Sequence, residues 1–279
     1  METNAFLREL RGVFDGDFHR DVPPAGPFLE IAADVEGLTT PHVMALLNVA
    51  VGHLGPTERY LEVGSYKGRS LLGAMAGYDH DRFTAIESFR EFGMDTERGR
   101  RTLLDNLERW QARDRVQLLV GDAFDLLEPA AEPLDGPVGV YFYDGVHGAL
   151  AHYLALGIVE PFLADEALVV VDDASWPVVS RQTDRYEARH DSYQSVLTLD
   201  ARHERDPRWF NGVRILRYRR ESPAPRRHGF DVRWRRLAHL RVYEPLWSWA
   251  WDFFPRHPRL TAMAKSALPM RGKRVGPKG

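Results

Sequence analysis

The sequence predicts an α/β fold, a mostly parallel, doubly wound sheet with helices on both faces. Three observations predict it. Apolar runs of strand length alternate with longer segments of helical period. One run, Tyr60-Leu61-Glu62-Val63, passes straight into a tight glycine loop, Gly64-Ser65-Tyr66-Lys67-Gly68, and then into a helix start at Ser70. The later runs end in acidic residues, where open parallel sheets keep their ligand-binding groups. At 279 residues, 44% of them hydrophobic, the chain suffices for one large domain with an appendage.

The elements follow in order. Residues 1–37 read as a helical or irregular N-terminal leader or lid, broken by Pro23-Pro24 and Gly26-Pro27. Thr40-Pro41 opens a helix to residue 53, with Thr as the cap and Pro at the first helical position. Met44, Leu46, Leu47, Val49, Ala50 and Leu54 are its apolar positions, and Gly55-Pro56 ends it. After the glycine loop a helix covers residues 70–76, and a second strand covers 82–87. Residues 96–112 read as a helix with Leu103, Leu104, Leu107 and Trp110 on one face. Strands follow at 116–120, 138–143 and 167–171, ending respectively in Gly121-Asp122-Ala123, Asp144 and Asp172-Asp173. A long helix is expected from His147 to about residue 163, and another from Ser175-Trp176-Pro177 to about 189. Residues 193–199 and 213–218 read as final strands around a polar loop. The domain thus runs over 38–220, followed by a basic, Trp/Arg-rich extension over 221–279 whose last stretch, 269–279, reads as disordered.

Composition narrows the chemistry. The chain has no cysteine, which excludes disulfides, thiolate metal sites and cysteine nucleophiles. The first thirty residues hold no apolar run of signal-peptide type, and no stretch approaches ~18 uninterrupted apolar residues. A cytoplasmic protein is the expectation. The net charge of −3 hides an asymmetry: from Arg219 onward there are 15 Lys/Arg against 4 Asp/Glu, so the body is acidic and the tail basic. Interleaved Trp and Arg leave three readings of the tail. It packs on its own acidic domain or a sister subunit, it makes peripheral membrane contact, or it binds nucleic acid. Nucleic acid is the weakest, because no RNA-binding motif accompanies the charge.

The glycine loop is selective. A dinucleotide fingerprint requires G-x-G-x-x-G, which the loop lacks; that disfavours a dehydrogenase. Its pattern, Glu62-x-Gly64-x-x-x-Gly68-x-Ser70, resembles the first motif of the class I S-adenosylmethionine (SAM) methyltransferases. Without that resemblance it is a glycine turn of some α/β protein. Glu87 lies about 20 residues beyond the loop, where doubly wound nucleotide sites place a carboxylate for the ribose hydroxyls. Acids at every strand end, Glu62, Glu87, Asp122, Asp144, Asp172 and Asp173, are hard to explain as solvated turns.

The order of these motifs over about residues 35–218 resembles the small-molecule O-methyltransferases of that class. It is most similar to the metal-dependent group with the catechol and the macrolide- and aminocoumarin-sugar O-methyltransferases. The resemblance implies a Rossmann-like seven-stranded sheet, SAM as cofactor and Mg²⁺ as metal. It implies that Glu62, Gly64 and Gly68 hold the methionine end of SAM, Glu87 the ribose, and Asp122 the adenine amino group. Ser65, Ser70, Ser88, Ala123 and Asp144 complete that cofactor set. The implied metal ligands are Asp144, Asp172 and Asp173, the first two spaced 28 positions apart. Catechol enzymes end the set in Asn, so Asp173 is closer to the sugar-modifying branch. With Asp144, His147 is the implied catalytic residue, a general base taking the proton of a metal-activated hydroxyl; the alternatives are a helix cap or a metal ligand. Ser175 and Trp176 either line the acceptor pocket or, for Trp176, join the core. The expected activity is Mg²⁺-dependent methylation of a small-molecule hydroxyl, of a sugar or polyol in natural product biosynthesis. The alternatives are metal-independent transfer to a phenol, carboxylate or amine, or a non-catalytic SAM-binding module anchored by its tail. Relatives imply a homo-oligomer.

Overall fold

The computed structural model describes residues 2–89, 95–221, 227–243 and 245–246. Among these, seven strands form one sheet: β1 Arg59–Val63, β2 Phe83–Glu87, β3 Val116–Val120, β4 Val138–Tyr143, β5 Leu163–Val171, β6 Tyr193–Leu199 and β7 Val213–Arg219. Their spatial order is β3-β2-β1-β4-β5-β7-β6. β1 to β5 are parallel neighbours, and β7 runs antiparallel between β5 and β6. Every residue of β1 and β4 is buried, as strands covered on both faces require. The edge strand β6 buries mainly its ends. The order turns back between β1 and β4, and the crevice at such a switch point, beyond the carboxyl ends of the strands, is where open α/β sheets bind ligands.

The described helices are α1 Thr3–Val13, α2 Phe28–Asp34, α3 Pro41–Gly52, α4 Arg69–Met75, α5 Thr96–Arg109, α6 Ala123–Leu126, α7 Ala149–Val159, α8 Pro177–Glu187 and α9 Phe230–Ala238. Thr40 caps α3 by accepting from Val43 N at 3.2 Å, with Pro41 in the first turn. The leader is integral to the packing. Phe6, Leu10, Phe14, Phe28, Ile31 and Val35 are buried in the main core. The Arg69 guanidinium, at the start of the glycine-loop helix, donates to the carbonyls of Ala32 (2.9 Å), Val35 (2.5 Å) and Thr39 (3.2 Å).

Several boundaries differ from the periodicity reading. α5 stops at Arg109, because Gln111 enters the left-handed region (φ 52°) and turns the chain into β3. Trp110 caps the helix end, still packs against the core as Leu104 does, and its indole donates to Asp34 at 2.8 Å. α7 starts at Ala149 after an extended Gly148, so His147 stands in the loop before it and is no cap. The loop between β6 and β7 is not simply polar. It buries Trp209, whose indole donates to Phe18 O at 2.8 Å, and a bidentate Arg208–Asp206 pair at 2.9 Å.

The chain divides into two compact units, Met1–Arg236 and Leu237–Gly279. In the first, α9 rests on the domain: Val232 fills the space left by Gly157, Asp231 accepts from Tyr153 OH at 3.2 Å, and Arg236 binds Glu128 and Phe124 O. In the second, His239–Tyr243 is a π-helical turn with the His239 and Tyr243 rings stacked 5.4 Å apart. The stretch 269–279 and Trp247, Trp249 and Trp251 lie outside the described residues. No helix among the described residues is long and apolar enough to cross a membrane.

Candidate active site

The carboxyl ends of β1 to β5 gather the residues singled out in the sequence. Gly64 leaves β1 with φ 93°, and a Cβ there would collide with the backbone carbonyl of Asp144 at the end of β4. Only glycine fits, on both conformational and steric grounds. Gly68 caps α4 with φ 90°, and its missing side chain leaves room for Leu103. The glycine loop is thereby pressed against the β4 turn.

Glu62 is fully buried beneath this loop. Its carboxylate accepts from Tyr60 OH (2.6 Å) and Ser70 Oγ (2.9 Å). Burial pushes its pKa up to about 7, against the pull of these hydrogen bonds. Ser65 is buried in the same loop. Glu87, at the end of β2, accepts from Tyr66 N (2.6 Å) and Phe89 N (2.8 Å), so it ties the glycine loop to the β2 turn. Each of its oxygens keeps a second lone pair for a ligand hydroxyl. Ser88 follows it, half-buried. Asp122 caps α6 by accepting from Phe124 N at 2.7 Å, with Ala123 buried behind it.

The metal expectation meets a rearranged set. Ligand atoms of Asp144, His147 and Asp173 lie within 4.8 Å of one another and could hold an ion. Asp172 is not among the three. Its carboxyl is buried beside Asp144 and Asp173, its Oδ1 has no hydrogen-bond partner, and burial with the Asp173 charge holds its pKa well above the usual carboxylate range. Asp173, its neighbour in sequence, adopts the left-handed conformation (φ 54°). This is a strained state that Asp tolerates better than most residues.

Asp173 is 4% exposed and held on two sides. Asn211 Nδ2 donates to Oδ1 at 2.8 Å, and His147 Nε2 lies 3.0 Å from Oδ2. Burial raises the Asp173 pKa; His147 and Asn211 pull it down. Burial lowers the pKa of His147, and Asp173 opposes this. His147 Nδ1 is 3.3 Å from His152 Nε2, and the two rings stack at 5.6 Å. Burial, then the His147 charge, lowers the His152 pKa to about 3, so His152 is neutral. The half-buried Trp176 meets the His147 ring edge-on at 5.1 Å, lining the site rather than the core.

Sequence reasoning missed Asn211 and His152. Asn211 belongs to an Asn-Gly turn in the β6–β7 loop and reaches Asp173 because Ala174 N and Ser175 N bond the carbonyls of Gly212 (2.9 Å) and Asn211 (2.8 Å). His152 sits five residues past His147, but the helix starts between them, so no helical spacing links the pair.

Residues 61–174 match the family model of a methyltransferase domain. Over that stretch the chain is similar to a methyltransferase domain. Solved structures of the same fold include cofactor-bound Rv0187 from MTB, 19% identical, with TM-score 0.53 and coverage of 79% of this chain and 97% of that one. The O-methyltransferase from Bacillus cereus in complex with SAH is 14% identical, with TM-score 0.52 and coverage of 78% and 100%. A Corynebacterium glutamicum protein is 12% identical, with TM-score 0.54 and coverage of 80% and 100%. No curated protein matches the chain. The similarity is to a methyltransferase domain over residues 61–174 and, for the solved structures, to their fold. The matched stretch supplies the glycine loop, the β2 acid, the β4 turn and the β5 acids; Asn211 comes from beyond it.

Proposed function

We propose that this chain is a SAM-dependent O-methyltransferase that methylates a hydroxyl of a small molecule, a sugar or polyol of a specialised metabolite, with the help of Mg²⁺. One observation carries the reading: the glycine loop and the Asp144–His147–Asp173 cluster share a crevice, with Gly64 packed on the Asp144 carbonyl. The loop 64–68, Glu62 and Ser70 beneath it, Glu87 with Ser88, and Asp122 with Ala123 would hold SAM along the ends of β1 to β3. The SAH in the Bacillus cereus O-methyltransferase of this fold supports that assignment. Bound SAM supplies an electrophilic sulfonium methyl.

The donor set fits a hard divalent cation. Asp144 and Asp173 offer carboxylate oxygens, which Mg²⁺ takes together with waters and substrate oxygens. Mg²⁺ would lower the pKa of an acceptor hydroxyl. A cation also answers the burial that raises the acids' pKa values, since positive charge favours their ionised form. His147 takes the hydroxyl proton, and the imidazolium formed is stabilised by Asp173, 3.0 Å from its Nε2, with His152 3.3 Å from its Nδ1. Trp176 walls the acceptor side beside His147 and excludes water. The transfer is an in-line displacement, so holding the two reactants in register contributes most.

A second reading rests on the same pair. His147 against Asp173, backed by His152, is already a base with an orienting carboxylate and needs no cation. It would suit metal-independent transfer to a phenol, carboxylate or amine. A SAM-binding module without turnover is the reading outside catalysis. A cytoplasmic location and self-association belong to the enzyme reading. Isothermal titration of the purified protein with SAM, with and without Mg²⁺, separates these. SAM binding with distinct Mg²⁺ uptake, lost in Asp173→Asn and Asp144→Asn, supports the first reading. SAM binding without Mg²⁺ uptake moves the assignment to the second. Absence of SAM binding overturns both.

A further inference from the structure

Helix α9 has two unlike faces. Val232 is buried against Gly157, the Arg235 guanidinium lies over the Tyr153 ring at 4.3 Å, and Arg236 binds Glu128 and Phe124 O. At 100° per residue these three positions fall on one side of the helix. Phe230 and Trp234, one turn apart, fall on the other. Phe230 is 76% exposed and Trp234 58% exposed, and their rings meet edge-to-face at 6.2 Å. The exposed Arg233 flanks them, and Arg227 is exposed just before the helix. The acidic domain thus holds the tail by one face and leaves the aromatic face turned away. The second unit by itself also exposes aliphatic side chains, Leu237, Val242 and Leu246.

We propose that this face of α9 docks on an anionic lipid bilayer. Phe and Trp on one stripe with Arg beside them suit the headgroup boundary, where aromatic rings insert and guanidinium groups meet lipid phosphates. The charge agrees: 15 Lys/Arg against 4 Asp/Glu from Arg219 onward cannot be neutralised within the tail. Single-stranded nucleic acid would use the aromatics for stacking but has no use for the exposed Leu and Val side chains. At nine residues α9 is about 14 Å long, so it lies on the surface and does not span it.

Co-sedimentation of the full chain with phosphatidylcholine vesicles, with and without phosphatidylserine, tests this. The expected result is binding that requires phosphatidylserine and weakens as salt rises. Phe230→Ser with Trp234→Ser should lower the partition coefficient about tenfold or more, and Arg233→Glu should lower it independently. Both side chains are exposed, so the double variant should keep the wild-type circular dichroism and SAM affinity; this separates loss of docking from misfolding and from failure of the enzyme reading. Equal vesicle binding by the double variant, or no binding to anionic vesicles, overturns the proposal. So does a wild-type dimer in sedimentation velocity that the double variant abolishes, since a second copy would then cover the stripe.

Discussion

Replacing Glu62 by Gln should change how stability depends on pH. Glu62 is fully buried, and its carboxyl is held at about pKa 7, against 4.5 for an ordinary glutamate. Folded protein therefore binds more protons than unfolded chain between about pH 4.5 and pH 7, and stability falls as pH rises through that window. The gap of about 2.5 units corresponds to about 3 kcal/mol of stability, present in full below about pH 4.5 and lost above about pH 7. Gln imitates the protonated acid: like it, the amide leaves one neighbouring hydroxyl, Tyr60 or Ser70, to accept. Urea unfolding of wild type and Glu62→Gln at about pH 5 and about pH 8 measures the difference. The variant should gain about 2.5 kcal/mol relative to wild type between the two conditions, whatever its constant offset. Asp173 titrates in the same direction in both proteins and cancels; the Glu62 charge also raises the Asp172 pKa, so its removal adds to the difference in the same sense. Parallel pH profiles would refute the reasoning, because Glu62 would then be ionised in the fold at little cost.

Two other substitutions test the crevice. Gly64→Ala must adopt φ 93° and press a methyl on the Asp144 carbonyl; it should destabilise by more than about 2 kcal/mol in chemical denaturation and weaken SAM binding in calorimetry. Asn211→Leu removes the donor to buried Asp173 Oδ1; a loss of about 1.5–3 kcal/mol is expected by the same unfolding assay, and an unchanged midpoint would show that the 2.8 Å contact does not support Asp173.

The sequence by itself determined the strand and helix order, the glycine loop and the acids at the strand ends. These are short-range matters: burial on two faces prints apolar runs, helix faces print a 3.6 period, and a sharp turn with positive φ selects glycine at 64 and 68. The limits were equally local. α5 outran its true end because its apolar pattern continues past the left-handed Gln111, and β5 was read from Ala167 although it starts at Leu163.

Only the tertiary structure decided which groups act together. Asp172 and Asp173 are indistinguishable as letters, yet only Asp173 joins the cluster with Asp144 and His147, while Asp172 is buried beside them. Asn211 reaches that cluster from 38 residues away because its turn hydrogen-bonds the chain after β5. His152 meets His147 because the first turn of α7 folds back over the β4 loop. The leader, which composition suggests is a lid, enters the main core through Phe6, Leu10 and Phe14. Such pairings arise from long-range packing that brings distant residues to one place, and no local pattern in the chain records them.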